Sequence, residues 1–369
     1  MKIAVYHELP LGGARRAINE FSKVLKTKHK VDLYVLDEVR HPEEVFYSKT
    51  FSFIFKSKAW RGGDPLVKLY KDFVEVMLLY FFTKKIAAVI NIRKYDIVIV
   101  SASRYIETPF ITRFIRSPLV FYCSDPNYRF VYDNLVFLDK KIGNIRYYYE
   151  IFKRVIYKKL DRDNVQKAML CLAPSHFIAS KFSKTYNVPN TPVHYGVDTS
   201  FFTPGKIRKD IDILYIGSKA KVDGIDLLEK VIRFLPRKTV VKKILIEEEW
   251  ISDDLILREY YRRSKIVFCP ARKEGLGAVP MEAMSCGCVV VAVDEAGHKE
   301  TIVNGVTGYL VPRNPKIIAE RMRLQLVNPQ IRRKVGKKGR EIMEKMWSWE
   351  KRGEVFEKTI VQFVNDTKL

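Results

Sequence analysis

Twice in this chain a short apolar run ends in a glycine-bearing loop and gives way to an amphipathic helix. The first instance is "KIAVYHELPLGGARRAINEFSKVL", from residue 2, and the second is "DILYIGSKAKVDGIDLLEKVIRFLP", from residue 212. Further apolar runs follow each: "VDLYVLD", "YDIVIVSAS" and "PLVFYCSDP" in the first half, "KIVFCPA", "VVVAVDEAG" and "GYLVP" in the second. A strand buried on both faces reads as such an unbroken run. Strands alternating with helices require parallel sheets of the doubly wound kind. The expected architecture is therefore α/β, with two doubly wound Rossmann-like domains facing across a cleft and ligands taken outside the carboxyl ends of the strands. Prolines and glycine cluster at "NTPVHYGVDTSFFTPGK" (190–206), which sets the boundary. The expected domains are 1–195 and 205–345, followed by a helix over 346–369 that can pack on either half. Within the first domain, "GGDP" marks a helix start, with Asp64 as cap and Pro65 in the first helical position.

The chain has 369 residues, 66 Lys+Arg and 42 Asp+Glu, for a net charge of +24. Apolar residues make up 47%, enough for a core in each domain and too many for a disordered chain. The basic excess suits an anionic partner such as a phosphate-rich substrate or an acidic membrane surface. It also suits a merely lysine-rich solvated surface. Cys123, Cys171, Cys269, Cys286 and Cys288 sit in apolar settings with no paired ligand spacing, so buried reduced thiols and a cytoplasmic chain are expected, and no metal site. "MKIAVYHELP" reads as a strand and not as a signal peptide. The longest apolar run, "FVEVMLLYFF" (73–82), is too short to span a bilayer, so membrane contact would be peripheral, on the inner face.

The densest chemistry lies in "KEGLGAVPMEAMSCG" (273–287). A strand precedes it, and a short helix entered through Pro280 is expected after it, with Glu282 in the first turn. Gly275 and Gly277 let backbone approach a ligand, and free N–H groups at a helix start make an anion site. A ligand with a diphosphate between two sugar rings would use both Glu274 and Glu282. The plain alternative is a tight turn followed by an acidic helix start.

The longer stretch "CPARKEGLGAVPMEAMSCGCVVVAVDEAGHKETIVNGVTGYLVP" resembles the donor-binding signature of glycosyltransferase family 4, retaining enzymes of the GT-B fold. That pattern runs Glu-Gly-Phe-Gly, Glu-Ala-Met-Ala-Cys-Gly, Gly-Gly-x-x-Glu and Gly-x-Thr-Gly. "LPLGGARRAI", "LVFYCSDPNYRFVYD" and "LAPSHFIASKFSKTYNVPNTPVHYGVDTSFFTP" are similar to the family's glycine loop, its Tyr-Cys-His-Glu-Pro segment and its interdomain passage. The resemblance makes Glu274 the catalytic residue that orients the donor sugar and Glu282 the ribose ligand. It places the diphosphate on the amides of Gly275, Leu276, Gly277, Ala278 and Val279. Gly12 and Gly13 would let the first loop approach the phosphates or the acceptor, with Arg15 on the acceptor side. A nucleotide sugar, UDP- or GDP-linked, is implied as co-substrate, with no cofactor and no metal. Three departures stand out. Ser218 and Asp223 occupy places where the family has Arg and Lys, leaving Lys219 and Lys221 to supply charge to the donor. Ser124 replaces the family histidine on the acceptor side, with Asp125 beside it as base or hydroxyl anchor. Only 36 positions separate Gly224 from Tyr260, so the second domain is expected to lack one strand–helix unit.

"LDKKIGNIRYYYEIFKRVIYKKLDR" (138–162) sets Ile145, Tyr149, Phe152, Ile156 and Leu160 at helical spacing. Arg146, Lys153, Arg154, Lys158 and Lys159 fall mostly on other faces. Such a helix can lie on an anionic membrane, or it can be an ordinary domain helix with a solvated basic face. Nucleic acid is not the expected partner, because no RNA or DNA module is recognisable. The expected activity is transfer from a nucleotide sugar to a glycan or lipid-linked acceptor. The alternatives are a catalytically silent membrane-associated scaffold and a sugar phosphorylase of the same fold.

Overall fold

The computed structural model describes residues 1–10, 12–37, 46–57, 64–123, 144–246, 248 and 254–367. The chain divides into two compact units. One comprises Met1–Pro174, Ile178–Val193 and Gly353–Leu369, and the other Ser175–Phe177 and His194–Arg352. Each is built on one all-parallel sheet.

The first unit carries seven strands: β1 (Lys2–Glu8), β2 (Lys30–Asp37), β3 (Lys49–Ile54), β4 (Ile97–Ser103), β5 (Leu119–Tyr122), β6 (Leu170–Ala173) and β7 (Thr191–Pro192). Their order across the sheet is β3-β2-β1-β4-β5-β6-β7. Strand β4 is buried along its whole length, as its unbroken apolar sequence requires. Three strands of this unit, and Val241–Leu245 of the second, escaped the sequence reading. "KTFSFI" (β3) sits at the sheet edge and alternates in exposure, "LCLA" (β6) is only four residues long, and β7 contains a proline. Helix α1 (Gly13–Lys26) covers the sheet with Ile18, Phe21 and Leu25 fully buried.

A helical run then begins at Asp64, whose carboxylate accepts from the N–H groups of Leu66 and Val67 at 2.9 and 3.2 Å. It consists of α2 (Pro65–Leu69), a wide π-helical turn (Tyr70–Glu75) and α3 (Val76–Ile92). It packs against α4 (Asn144–Val165), and the two meet through charge. Lys68 Nζ lies 2.7 Å from Asp72 and 2.9 Å from Glu150, while Lys153 Nζ lies 3.3 and 2.9 Å from the same two carboxylates. Tyr149 donates to Asp72 Oδ2 at 2.8 Å, and Tyr157 to the Asp72 carbonyl at 3.0 Å. Burial pushes the Asp72 and Glu150 carboxyls up, but the two lysines outweigh it and hold both below the usual carboxylate range. The expected division of α4 into an apolar inner face and basic outer face is therefore wrong in part. Tyr149, Ile156 and Leu160 are half-buried, whereas Phe152 is exposed and Arg154 is buried. The side chains of Ile145 and Arg146 lie outside the described residues.

The second unit holds β8 (Ile211–Gly217), β9 (Val241–Leu245), β10 (Ser264–Cys269), β11 (Val289–Val293) and β12 (Tyr309–Val311), in the order β12-β11-β10-β8-β9. Helices α6 (Ile225–Ile232) and α10 (Pro315–Val327) pack on one side of it, burying Leu227, Leu228, Ile318 and Met322 against Ile213, Phe268 and Val291. Helix α5 (His176–Tyr186) begins among this unit's residues and continues in the first unit. All five cysteines are buried and none is in a disulfide, and burial pushes the Cys171 thiol up to about 12.

The terminal helix α12 (Trp349–Thr367) returns to the first unit from Gly353 onward. Phe356 is fully buried there, stacked on Phe21 at 4.2 Å with the Tyr122 ring 5.9 Å away and nearly perpendicular. Removing that ring leaves a cavity against the sheet. Phe356→Ala is expected to cost about 3–5 kcal/mol in denaturant unfolding; a loss under about 1 kcal/mol would mean the helix is not part of the folded unit.

Candidate functional site

In doubly wound sheets the crevice for ligands opens where the strand order reverses. In the second unit that point lies between β8 and β10. The loop after β8 carries Ser218 to Gly224, and the loop after β10 carries Pro270 to Gly277. Topology alone thus brings together the two stretches that the sequence singled out separately. The loops are in contact. Arg272 N–H donates to the Val222 carbonyl at 2.7 Å. Gly224, left-handed at φ 81°, lies so near Pro270 that a Cβ there would sit 2.4 Å from its carbonyl oxygen.

The β10 loop is pinned from behind. Arg313 donates to the Pro270 and Ala271 carbonyls at 2.9 and 3.3 Å, and its guanidinium forks onto Glu295 at 2.8 and 2.6 Å. That bond to Arg313 holds the Glu295 carboxyl below its ordinary value. Gly297 N–H donates to the Glu274 carbonyl at 3.0 Å, so close that a Cβ on Gly297 would lie 2.2 Å from the Gly275 oxygen. His298 is buried beside it, with Nδ1 3.2 Å from the Val293 carbonyl. Desolvation lowers its pKa to about 4, so the ring is neutral.

Glu274 is half-buried at the loop mouth and accepts from Gly275 N–H at 3.1 Å. Gly277, at φ 93°, turns the chain into helix α8 (Ala278–Ser285), and no side chain caps that start. The Gly277 N–H donates to Tyr195 Oη at 3.1 Å. The helix starts two residues before Pro280, earlier than the sequence suggested, because Gly277 makes the turn. Pro280 is tolerated inside the first turn, where its missing N–H would have no helical partner. Glu282 consequently falls in the second turn. It is buried, 6% exposed, and accepts from Tyr261 Oη at 2.8 Å. Burial, reinforced by the Glu282 charge, raises the Tyr261 hydroxyl far above its usual pKa and keeps it a donor.

The residues that depart from the family pattern hold each other. Ser218 N–H donates to Asp223 Oδ2 at 3.0 Å, and the Ser218 hydroxyl donates to the same oxygen. The Tyr215 hydroxyl lies 3.2 Å from the carbonyl oxygens of both Ser218 and Asp223. Lys219 is exposed and pairs with Glu248 at 2.6 Å, and Lys221 is exposed on the short turn that follows.

In the first unit the strand order reverses between β1 and β4. Gly12 and Gly13 are exposed just beyond β1, and Gly12 adopts a φ of 152° open to glycine. Arg15 is fully buried, donating to Asp37 at 2.6 Å and to the Leu9 carbonyl at 3.1 Å. Ser124 and Asp125 lie outside the described residues. Glu8, at the end of β1, was missed by the sequence reading because it sits inside an apolar run. It accepts from Tyr6 Oη at 2.6 Å and from the Ser103 hydroxyl across the reversal point. Among the described residues, His176, His194 and Glu300 of the second unit bring one potential metal-ligand atom each within 4.8 Å of one another. The Glu300 carboxylate also accepts from the His176 and Phe177 N–H groups, both at 2.9 Å, at the start of α5.

Burial raises Glu8 to about 7, against opposing bonds from Ser103 and Tyr6. The folded chain therefore holds a proton on Glu8 that the unfolded chain has released. Its contribution is fully present below pH 4.5 and is lost as pH rises toward 7. Glu8→Gln is expected to gain about 3 kcal/mol relative to the unsubstituted chain between pH 4.5 and pH 8, read by urea unfolding at each pH. A pH-independent difference would place the proton elsewhere.

Residues 250–342 match the family described as glycosyl transferases group 1. An uncharacterised glycosyltransferase of Methanocaldococcus jannaschii is 28% identical over 166 residues, 43% of this chain and 45% of that protein. The stretches matched span under half the length of the curated relatives. Among solved structures, sucrose-phosphate synthase from Thermosynechococcus elongatus superposes with a TM-score of 0.71 at 15% identity, over 99% of both chains. Anabaena HepE in complex with UDP and glucose gives 0.65 at 14% identity, over 98% of this chain and 99% of its own. These likenesses establish the GT-B fold that the sequence led one to expect.

Proposed function

We propose that this chain, bearing a group 1 glycosyl transferase domain, is a retaining and metal-independent glycosyltransferase. It moves a sugar from a UDP- or GDP-linked donor to a glycan or lipid-linked acceptor. The observation that carries the reading is the strand–loop–helix of residues 264–285. It sets a half-buried carboxylate, an uncapped helix start and a buried carboxylate in succession at the reversal point of a parallel sheet. An uncapped helix start offers N–H groups and a positive dipole end to a diphosphate. The amides of Leu276, Ala278 and Val279 serve there, and the Tyr195 hydroxyl holds the Gly277 amide in the place a phosphate oxygen would take. Glu274 orients the sugar hydroxyls. Glu282, its rotamer fixed by Tyr261, receives the ribose. Charge on the departing nucleotide is met by fixed N–H dipoles, which need no reorganisation as the bond breaks. Support also comes from the UDP and glucose held by the Anabaena protein of the same fold.

The Ser218–Asp223 clasp favours a second reading, a catalytically silent member of the fold, because it fills positions where cations would face the donor phosphates. One experiment separates them. Nucleotides and nucleotide sugars are first screened for a rise in melting temperature, since a ligand that binds only the folded state stabilises it. The stabilising sugar is then offered with acceptors. Glu274→Gln and Glu282→Gln are each expected to lower transfer by about 100-fold or more while unfolding at the unsubstituted temperature. Binding without any transfer supports the silent reading, and no binding at all would sink the transferase reading.

A further inference from the structure

The helical run 65–92 and helix α4 are amphipathic the wrong way round. Between Pro65 and Phe81 every exposed residue is apolar: Pro65, Leu66, Leu69, Val74, Met77, Leu78 and Phe81. In the same span all four charged residues, Lys68, Lys71, Asp72 and Glu75, are half-buried or buried. Helix α4 repeats the inversion. From residue 147 to 155 the exposed positions are Tyr147, Tyr148, Ile151, Phe152 and Val155, while Glu150, Lys153 and Arg154 are not exposed. A water-facing helix shows the opposite distribution. Here the charges neutralise one another between the helices, in the ring formed by Lys68, Asp72, Glu150 and Lys153. The apolar stripes are left outside, with Leu66 at 76%, Phe152 at 60% and Phe81 at 55% exposure. Single exposed apolar side chains need no explanation, but eleven large ones on two packed helices exceed what a solvated surface carries.

We propose that this helix pair lies in the surface of an anionic lipid monolayer, with the two outward stripes immersed at the headgroup boundary. Charge complementarity selects lipid over an apolar protein partner. Each stripe ends in exposed cations, Lys84 and Lys85 one turn after Phe81, and Lys159 and Arg162 one and two turns after Val155. The whole chain carries +24. Cations at the ends of an apolar, aromatic-bearing helical stripe are the arrangement that settles into a phospholipid interface, with the basic heads on phosphate. Neither helix crosses the bilayer, since no helix among the described residues is long and apolar enough. The ion pairs and tyrosine hydrogen bonds that produce the inversion also tie the two helices to each other in the free chain. Resting on the transferase reading, the consequence is that the acceptor is drawn from the lipid phase; the docking itself does not depend on that reading.

The full chain is sedimented with vesicles of phosphatidylcholine, with and without phosphatidylglycerol. Binding to the anionic vesicles is expected, with a fraction retained in high salt because apolar immersion is not screened. Phe81→Ser/Phe152→Ser is expected to bind roughly 100-fold more weakly, each half-immersed ring being worth about tenfold, with an unchanged melting temperature. Replacing Lys84, Lys85, Lys159 and Arg162 by Gln should remove the preference for phosphatidylglycerol. A chain that stays in the supernatant, or a double variant that sediments like the parent, overturns the proposal. So does a dimer that the double variant dissolves, since a second copy then covers the face. No nucleotide sugar enters this assay, so its failure leaves the transferase reading standing, and an inactive enzyme leaves this one standing.

Discussion

The pairing of β8 with β10 is the constraint on which the rest of the second unit depends. It joins strands separated by the whole of β9 and its helices, Ile266 opposite Ile213 and Val267 opposite Leu214. Parallel pairing aligns their carboxyl ends, so two loops far apart in sequence must share one crevice. Everything around that crevice is arranged to keep the β10 loop from moving. Arg313 satisfies two loop carbonyls and neutralises itself on Glu295, while Gly297 and Gly224 admit backbone where no side chain fits. An electrostatic site works only if its dipoles are already oriented, and these contacts hold the loop backbone in place from within the unit.

The Ser218–Asp223 clasp shows how a departure from a pattern can be internally consistent. A cation facing phosphate would need its own counter-charge in the absence of ligand. The neutral hydroxyl and the carboxylate satisfy each other instead, and Tyr215 closes both carbonyls from below. On the same turn Lys219 pairs with Glu248 at 2.6 Å, and Lys221 is exposed.

How much of this could be read in advance depends on whether the controlling interaction is local. The strands "KIAVYHE" and "VVVAV" and the Asp64 cap were legible, because burial on both faces and capping write themselves into neighbouring residues. The glycine-bearing turn between Glu274 and Glu282 was legible, whereas the helix start at Ala278, which moves Glu282 into the second turn, was not. Glu8 was not, since a carboxylate inside a buried strand is intelligible only once Ser103, 95 residues away, is placed beside it. The role of Arg15 was hidden likewise, because its partner Asp37 closes a different strand. Strand β6 failed for a third reason: unlike the equally short β5, its "LCLA" was not read as an apolar run, its last two residues being taken into the interdomain passage that begins "LAPSHF".

The basic composition can now be divided by location. Some of the 66 cations are structural, Arg15, Lys68, Lys153 and Arg313 each being held by a carboxylate. In the first unit that use of charge has a consequence for the surface. Helical positions are limited, so placing Lys68, Asp72, Glu150 and Lys153 on the inner faces leaves Leu66, Met77, Phe81 and Phe152 on the outer ones. Sequence periodicity recognises that such helices are two-sided but not which side is turned inward. The ion ring decides it, since four charges neutralised at 2.7 to 3.3 Å are worth more out of water than spread over a solvated surface only if their partners are complete. The polarity of these helices is thus set from within the unit, and the apolar exterior is its necessary counterpart.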